Sequence, residues 1–320
     1  MRRRLGRLAL LWAALGASAG CGAAGPAAGG PRTDLVVFAP HPDDETLGCA
    51  GILLQALRRG ERVKVVLFTN GDGFPDFASR IVRRPVDGLR EEDFAELARY
   101  RQEQSLAALR ALGGAPEDLI FLGYPDSGLE AVEQAHGPDP VRQKYTGRSA
   151  TYGVARPDYH STIHGRPAPY TSEAVRADVA ELIRTLRPLR LCVTHAEDRH
   201  PDHRAAFRFV RDAARATGWT GEFDTYLIHG GPEWPWPLGS TPGSRFDAHE
   251  GKGGRIPQGV SWPPPRRVPL CAEEASLKAE AVRAHLTHLA DVSSGPLAEE
   301  RRYLESFVKA EEVFWGGEGR

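Results

Sequence analysis

Leu35-Val36-Val37-Phe38-Ala39-Pro40-His41-Pro42-Asp43-Asp44-Glu45-Thr46 is the stretch that decides the fold. Its first five residues form an unbroken apolar run, which reads as a strand buried on both faces of a parallel sheet. Residues 45–59 follow with Leu47, Ile52, Leu53 and Leu57 at helical spacing, and Gly60 stops them. Working outward, the alternation repeats. Residues 63–68 make a second buried strand before the turn Asn70-Gly71-Asp72-Gly73. Residues 92–112 make an amphipathic helix stopped by Gly113-Gly114, and 119–122 a third strand. A helix over 172–186 takes Ser172 as its N-cap. It is followed by strand 189–194, helix 200–217, strand 225–228, and two helices over 272–289 and 298–310. Such alternation specifies an α/β protein, a Rossmann-like three-layer fold with a mostly parallel sheet covered on both faces. Stretches 127–170 and 230–265, rich in Gly and Pro, read as long loops of the kind that carry function. With no internal repeat and no second domain in view, 32–320 reads as one domain.

The chemistry sits at two strand-to-helix corners. In a doubly wound sheet, ligands bind beyond the carboxyl ends of the strands. A dinucleotide site would need glycines after the first strand. This chain instead offers one imidazole and three carboxylates, His41, Asp43, Asp44 and Glu45. The second corner, His195-Ala196-Glu197-Asp198-Arg199-His200-Pro201-Asp202-His203, follows the fourth strand. Taken singly, each has an ordinary alternative as a helix cap, since acidic first turns complement the helix dipole and proline suits the first turn. Two His/Asp-rich corners on one edge of one sheet are better explained by a shared ion. Two histidines, a carboxylate and an open position make an accepted catalytic zinc arrangement.

His-Pro-Asp-Asp-Glu after the first strand, paired with a later His-Pro-Asp-His, resembles the PIG-L/LmbE-like family of zinc-dependent N-deacetylases, from about residue 35 to 217. The resemblance implies one zinc ion on His41, Asp44 and His203, with Asp43 as general base. It implies His200 as stabiliser of the oxyanion, oriented by Asp202, and Arg101 and Asp126 as contacts to substrate hydroxyls. The implied substrate bears an N-acetyl group, most naturally on an N-acetylglucosamine-type sugar. Some sugar deacetylases of that family place a Tyr two residues before His200, where this chain has Asp198. Asp198 is accordingly expected among the substrate contacts. The carbonyl-polarising role then passes to a loop group such as Tyr145, Tyr152 or Tyr159, or the substrate is a non-sugar amide. A carbohydrate-binding protein without catalysis is a further alternative, which the intact Asp43 and ligand set oppose. The ligand types favour zinc, and iron fits the same set.

The remaining features bound the function. Hydrophobic residues make up 41% and charged residues 26%, and Lys+Arg (41) nearly cancel Asp+Glu (42). No basic excess for gripping nucleic acid follows from this balance. Arg2, Arg3, Arg4 and Arg7 precede a short apolar run over 8–15 and the small residues Ala17-Ser18-Ala19-Gly20-Cys21. This reads as an export signal and tether over 1–31, not a membrane span. Cys21 is a candidate for lipidation that would anchor the protein in the cell envelope, and plain signal cleavage is the alternative. Cys49, Cys192 and Cys271 form no disulfide framework, and the first two read as buried small hydrophobes. His160 and His164 show helical spacing, but Pro157, Gly165 and Pro167 argue for a loop there instead of a second metal. His285 and His288 read equally as edge of the site or solvated helix face. Trp234, Trp236 and Trp262 read as loop packing before sugar stacking.

Overall fold

The computed structural model describes residues 32–234, 236–237, 243–246 and 255–316. In chain order the elements are β1 (Leu35–Ala39), α1 (Asp44–Arg58), β2 (Val63–Thr69), α2 (Pro75–Val82), α3 (Glu91–Ala111), β3 (Leu119–Tyr124), α4 (Leu129–Gln134) and α5 (Tyr159–His164). They continue with α6 (Ser172–Leu186), β4 (Arg190–Thr194), α7 (Pro201–Ala216), β5 (Glu222–Tyr226), β6 (Arg266–Pro269), α8 (Ala272–His285), α9 (Pro296–Glu305) and β7 (Glu311–Gly316). The sheet order is β3-β2-β1-β4-β5-β7-β6. Strands β3, β2, β1, β4 and β5 are parallel, whereas β7 runs antiparallel to β5 and β6 antiparallel to β7. The α/β architecture with a mostly parallel sheet is therefore as the alternating pattern indicates.

The topology also sets the site. From β1 the chain winds outward through β2 and β3, then returns to lay β4 and β5 on the other side of β1. The crevice between the carboxyl ends of β1 and β4 is thus the topological switch point, where open α/β sheets bind ligands. Both His/Asp corners lead out of these two strands.

β1 is buried on both faces. Leu35, Val37 and Ala39 join one core with α1, α3 and α8, while Val36 and Phe38 join the other with α6 and α7. Gly48 lets α1 lie against Tyr226, since a Cβ there would sit 2.2 Å from that ring. Cys49 and Cys192 are buried where α1 meets β4, their Sγ atoms 3.6 Å apart, and Cys271 is exposed.

Several expectations need correction. The region 298–310 is not one helix: α9 stops at Glu305 and the chain turns into β7. β6 and β7 escape a periodicity reading because both carry paired charges, Arg266-Arg267 and Glu311-Glu312. Arg267 pairs with Glu311 across the strands. α2 and α4 are short helices that the sequence pattern did not mark. The loop 127–170 is partly structured, holding α4, α5 and a bridge between Ala150 and Pro169. His160 and His164 lie on a real helix, because the breakers flank it. Asp158 caps its start by accepting from Ser161 N, and Gly165 (φ 71°) ends it. Helix 272–289 breaks at His285 into a short 3₁₀ turn. Trp234 and Trp236 are buried and stack on each other at 5.0 Å. The export segment, Cys21 and parts of 230–265 lie outside the described residues. Among the described residues no helix is long and apolar enough to cross a membrane.

Candidate functional site

At the first corner, Pro40 O accepts from both the backbone N–H and the hydroxyl of Thr69, holding the chain end of β1 against β2. The backbone then turns sharply. Asp43 has φ 138° and ψ −36°, a conformation that costs a non-glycine residue on the order of 1–3 kcal/mol and clusters at functional sites. Its N–H donates to Glu45 Oε2 at 2.9 Å, and Glu45 Oε1 accepts from Ser105 Oγ at 3.0 Å. The strain aims the Asp43 side chain at the cavity while Asp44 starts α1.

At the second corner, His200 is the N-cap of α7, its Nδ1 accepting from Asp202 N at 3.2 Å. Pro201 occupies the first turn and His203 comes to lie beneath the first corner. His41 Nδ1, Asp44 Oδ2 and His203 Nε2 then form a nearly equilateral triangle with edges of 3.2, 3.2 and 3.2 Å. Three ligands bound tetrahedrally to zinc at its usual distances are about 3.3–3.5 Å apart. The residues present therefore fit such an ion. Two imidazoles and one carboxylate would hold it at the edge of a cavity.

The atoms behind the triangle hold it in place. His41 Nε2 is 3.3 Å from Asp126 Oδ1 and 3.3 Å from Asp202 Oδ2. Both carboxylates favour a proton on Nε2, which leaves Nδ1 as a donor to an ion. His203 Nδ1 lies 3.1 Å from Asp198 Oδ2. Burial opposes charge on both imidazoles, yet Asp126 raises His41 well above the ordinary range. Asp198 and Asp44 likewise raise His203 to about 9. Burial would raise Asp44, but His203 and His41 hold it well below the usual carboxylate range. The centre is electronegative enough to draw protons onto its imidazoles, which is the demand a divalent cation answers.

Beside the triangle is a cavity of about 270 Å³, lined among others by Asp43, Arg101, Asp126, His200, His229 and Tyr303. Burial, with the Asp44 and Glu45 carboxylates, pushes Asp43 up to about 8 against the pull of Arg101. Arg101 reaches from α3 past Gly71 to donate to Asp43 Oδ2 at 2.7 Å. Asp126 Oδ2 accepts from Gly73 N at 2.6 Å.

The structure thus brings together His41, Asp43, Asp44, Arg101, Asp126, His200, Asp202 and His203, and reassigns three expectations. Asp198 does not face substrate. It is fully buried and does not line the cavity, its Oδ1 accepting from the backbone N–H of His200 and its Oδ2 from those of Ile228 and His229 while facing His203. Asp202 does not orient His200 through its carboxylate. Its Oδ2 turns to His41 and its Oδ1 accepts from Leu129 N and Glu130 N. His200 is accordingly not a cation, since burial and the neighbouring His41, His203 and His229 push it down to about 2. Its Nδ1 accepts a backbone proton, so the neutral ring carries its own proton on Nε2. Nor do Tyr145, Tyr152 or Tyr159 reach the cavity. Tyr145 stacks on Phe94, Tyr152 donates to Asp72, and Tyr159 packs against the opposite core.

Other lining residues were not found in the sequence. His229 follows the carboxyl end of β5, so the rule that located the two corners points to it as well. Glu300 and Tyr303 come from α9, with Tyr303 Oη donating to Ile228 O at 2.6 Å and 3.1 Å from His229 Nδ1. Nothing local to their segment signals that role. His285 and His288 are both buried, His285 Nε2 lying 3.0 Å from Thr46 Oγ1 and His288 packing on Phe77. They sit at the edge of the site.

A sheet with a His/Asp centre in its switch-point crevice and a carboxylate-lined cavity beside it has the form of an α/β ligand-binding site. Residues 36–214 match the PIG-L model, described as GlcNAc-PI de-N-acetylase, and the chain belongs to that family of deacetylases. It is 26% identical over 285 residues to the 1D-myo-inositol 2-acetamido-2-deoxy-alpha-D-glucopyranoside deacetylase of Rhodococcus opacus, covering 82% of this chain and 83% of that one. The same-named protein of a Mycobacterium species is 36% identical over 109 residues, about a third of each chain (32% and 33%). Among solved structures, the N,N′-diacetylchitobiose deacetylase of Pyrococcus horikoshii aligns with a TM-score of 0.52 at 16% identity, covering 90% of this chain and 84% of that one. A triple mutant of a deacetylase of the teicoplanin biosynthetic pathway aligns at 0.50 with 17% identity, over 89% of this chain and 97% of the other. These two likenesses concern the fold alone.

Proposed function

We propose that this deacetylase is zinc-dependent and removes the acetyl group from an N-acetylglucosamine-type sugar. The 3.2 Å triangle of His41, Asp44 and His203 beside the Asp43-lined cavity carries this reading. A zinc ion there would supply a Lewis acid for the acetamide carbonyl and lower the pKa of water to about 7. Asp43 takes the proton of the attacking water and returns it to the leaving amine. A carboxylate held up near 8 suits both directions of transfer. His200 presents its Nε2–H to the carbonyl oxygen as that atom gains charge, acting as a neutral donor. Asp202 and Asp126 fix the tautomer of His41, and Asp198 that of His203. Arg101 spends one nitrogen on Pro42 O and Asp43, so its other donors are free for substrate hydroxyls.

The names of the Rhodococcus and Mycobacterium relatives support the sugar. Phe74 and Phe77, stacked at 4.1 Å on the cavity wall, favour a second reading, a non-sugar acetamide with an apolar body. Acetate release from N-acetylglucosamine oligomers and from inositol-linked N-acetylglucosamine, with and without chelator, tests the proposal. Chelator-sensitive release is expected. Release only from non-sugar acetamides would transfer the assignment to the second reading, and binding without any release would make the protein a carbohydrate binder. The N-terminal pattern further supports an exported, lipid-tethered enzyme of the cell envelope. Labelled palmitate incorporation that is lost in Cys21→Ser would establish the tether.

A further inference from the structure

A second cluster of metal-ligating groups stands apart from the cavity, where α5 packs against α6. His160 and His164 are one turn apart on α5, their rings 4.4 Å apart and tilted by 43°. Opposite them, α6 contributes Asp178 and Glu181, three residues apart and so on one face. His160 Nδ1 lies 2.7 Å from Asp178 Oδ1, and His164 Nε2 lies 2.9 Å from Glu181 Oε2. Donor atoms of His160, His164 and Asp178 all fall within 4.8 Å of one another.

From this geometry we infer a second divalent-cation site, with His160, His164 and Asp178 as ligands. Three features distinguish it from two ordinary ion pairs. The Asp178 side chain is 1% exposed, and Tyr124 Oη donates to its Oδ2 at 2.7 Å. That bond orients the carboxylate so that Oδ1 faces the imidazoles, as an outer partner does for a metal-binding carboxylate. The two histidines are spaced i, i+4 on a helix whose ends are fixed by the Asp158 cap and Gly165. The opposite side of the cluster is open, with the His164 and Glu181 side chains 38% and 35% exposed, so an ion can enter and leave. Two imidazoles with one carboxylate select zinc, nickel or copper over magnesium or calcium. Such an ion would staple the excursion that begins at Asp126 and Ser127, in the cavity wall, to the body of the fold.

The site owes nothing to the ion at the first corner, so the two can be counted separately. Protein loaded with Zn²⁺ and freed of excess metal to ~10 μM is analysed for zinc per chain, comparing wild type, His160→Gln/His164→Gln and His203→Ala. Two ions in wild type and one in each variant are expected, the α5 variant keeping its deacetylase activity. A single ion in both wild type and the α5 variant overturns the second site, and so do two ions in both. Should the double variant fail to fold, zinc-edge anomalous scattering from wild-type crystals decides the matter. A peak between α5 and α6 supports the site, and its absence at full occupancy of the first corner overturns it.

Discussion

Among the described residues, two clusters of histidine and carboxylate are built from the same residue types and set in opposite surroundings. The first joins residues 162 positions apart in sequence, at the switch point of the sheet, with His203 fully buried. The second joins two neighbouring helices at the surface, with His164 open to solvent. Only the first adjoins a cavity with a strained, unligated carboxylate. On the function proposed above, the difference teaches that metal-binding residue types alone do not make a catalytic centre. A low-dielectric crevice, fixed tautomers and a base outside the ligand set must converge on the same point.

The comparison breaks most sharply at His203. His203→Ala should lose the first ion and at least about 10³-fold of deacetylase activity, because it removes both the ligand and the chemistry the ion supplies. Metal content and initial rates on one preparation would show it, and near-normal rates would sink the assignment. Asp43→Asn comes next, with a loss of about 10²–10⁴-fold expected from removing a general base. Here the metal content should be unchanged, and that separation of ion from turnover is the diagnostic. Asp198→Ala tests the residue behind the site. Losing an outer partner typically weakens metal affinity by about 10–100-fold, so activity should recover at high zinc. Competition against a chromophoric chelator measures this directly.

The smallest effect concerns pH. His203 is raised to about 9 above its ordinary 6.5. The stability its charged form gives the ion-free protein is thus fully present below 6.5 and is lost as pH rises through 9. Ion binding needs the unprotonated ring, so zinc affinity should climb over the same window, by about tenfold per pH unit for each proton displaced. Calorimetry in buffers of differing ionisation heat would count those protons, and no release at pH 7.5 would contradict the raised value.

Much of this was legible before any coordinates. The β1 run and its helical sequel carry their periodicities locally, so the layered fold and both corners could be read from them. Asp43, Asp44 and the His200–His203 segment were legible because strand ends are where such folds bind ligands. The orientation of side chains was not. Asp198 reads in sequence as one more acid beside the motif, yet the backbone amides after β5 claim its carboxylate. The α5 histidines lay hidden behind flanking prolines that mark helix boundaries as readily as loops.

By itself the sequence determined the alternation, the buried central strand and the chemical identity of the two corners, since these rest on short-range spacing and residue type. Tertiary structure alone decided which oxygen faces which imidazole, and that α9 supplies Glu300 and Tyr303 to the cavity. It also decided that Asp202 serves His41, in place of the histidine two residues before it. Those outcomes depend on how distant segments pack against one another, and hydrogen-bonding capacity inside a protein is claimed by whichever partner the packing brings within about 3 Å.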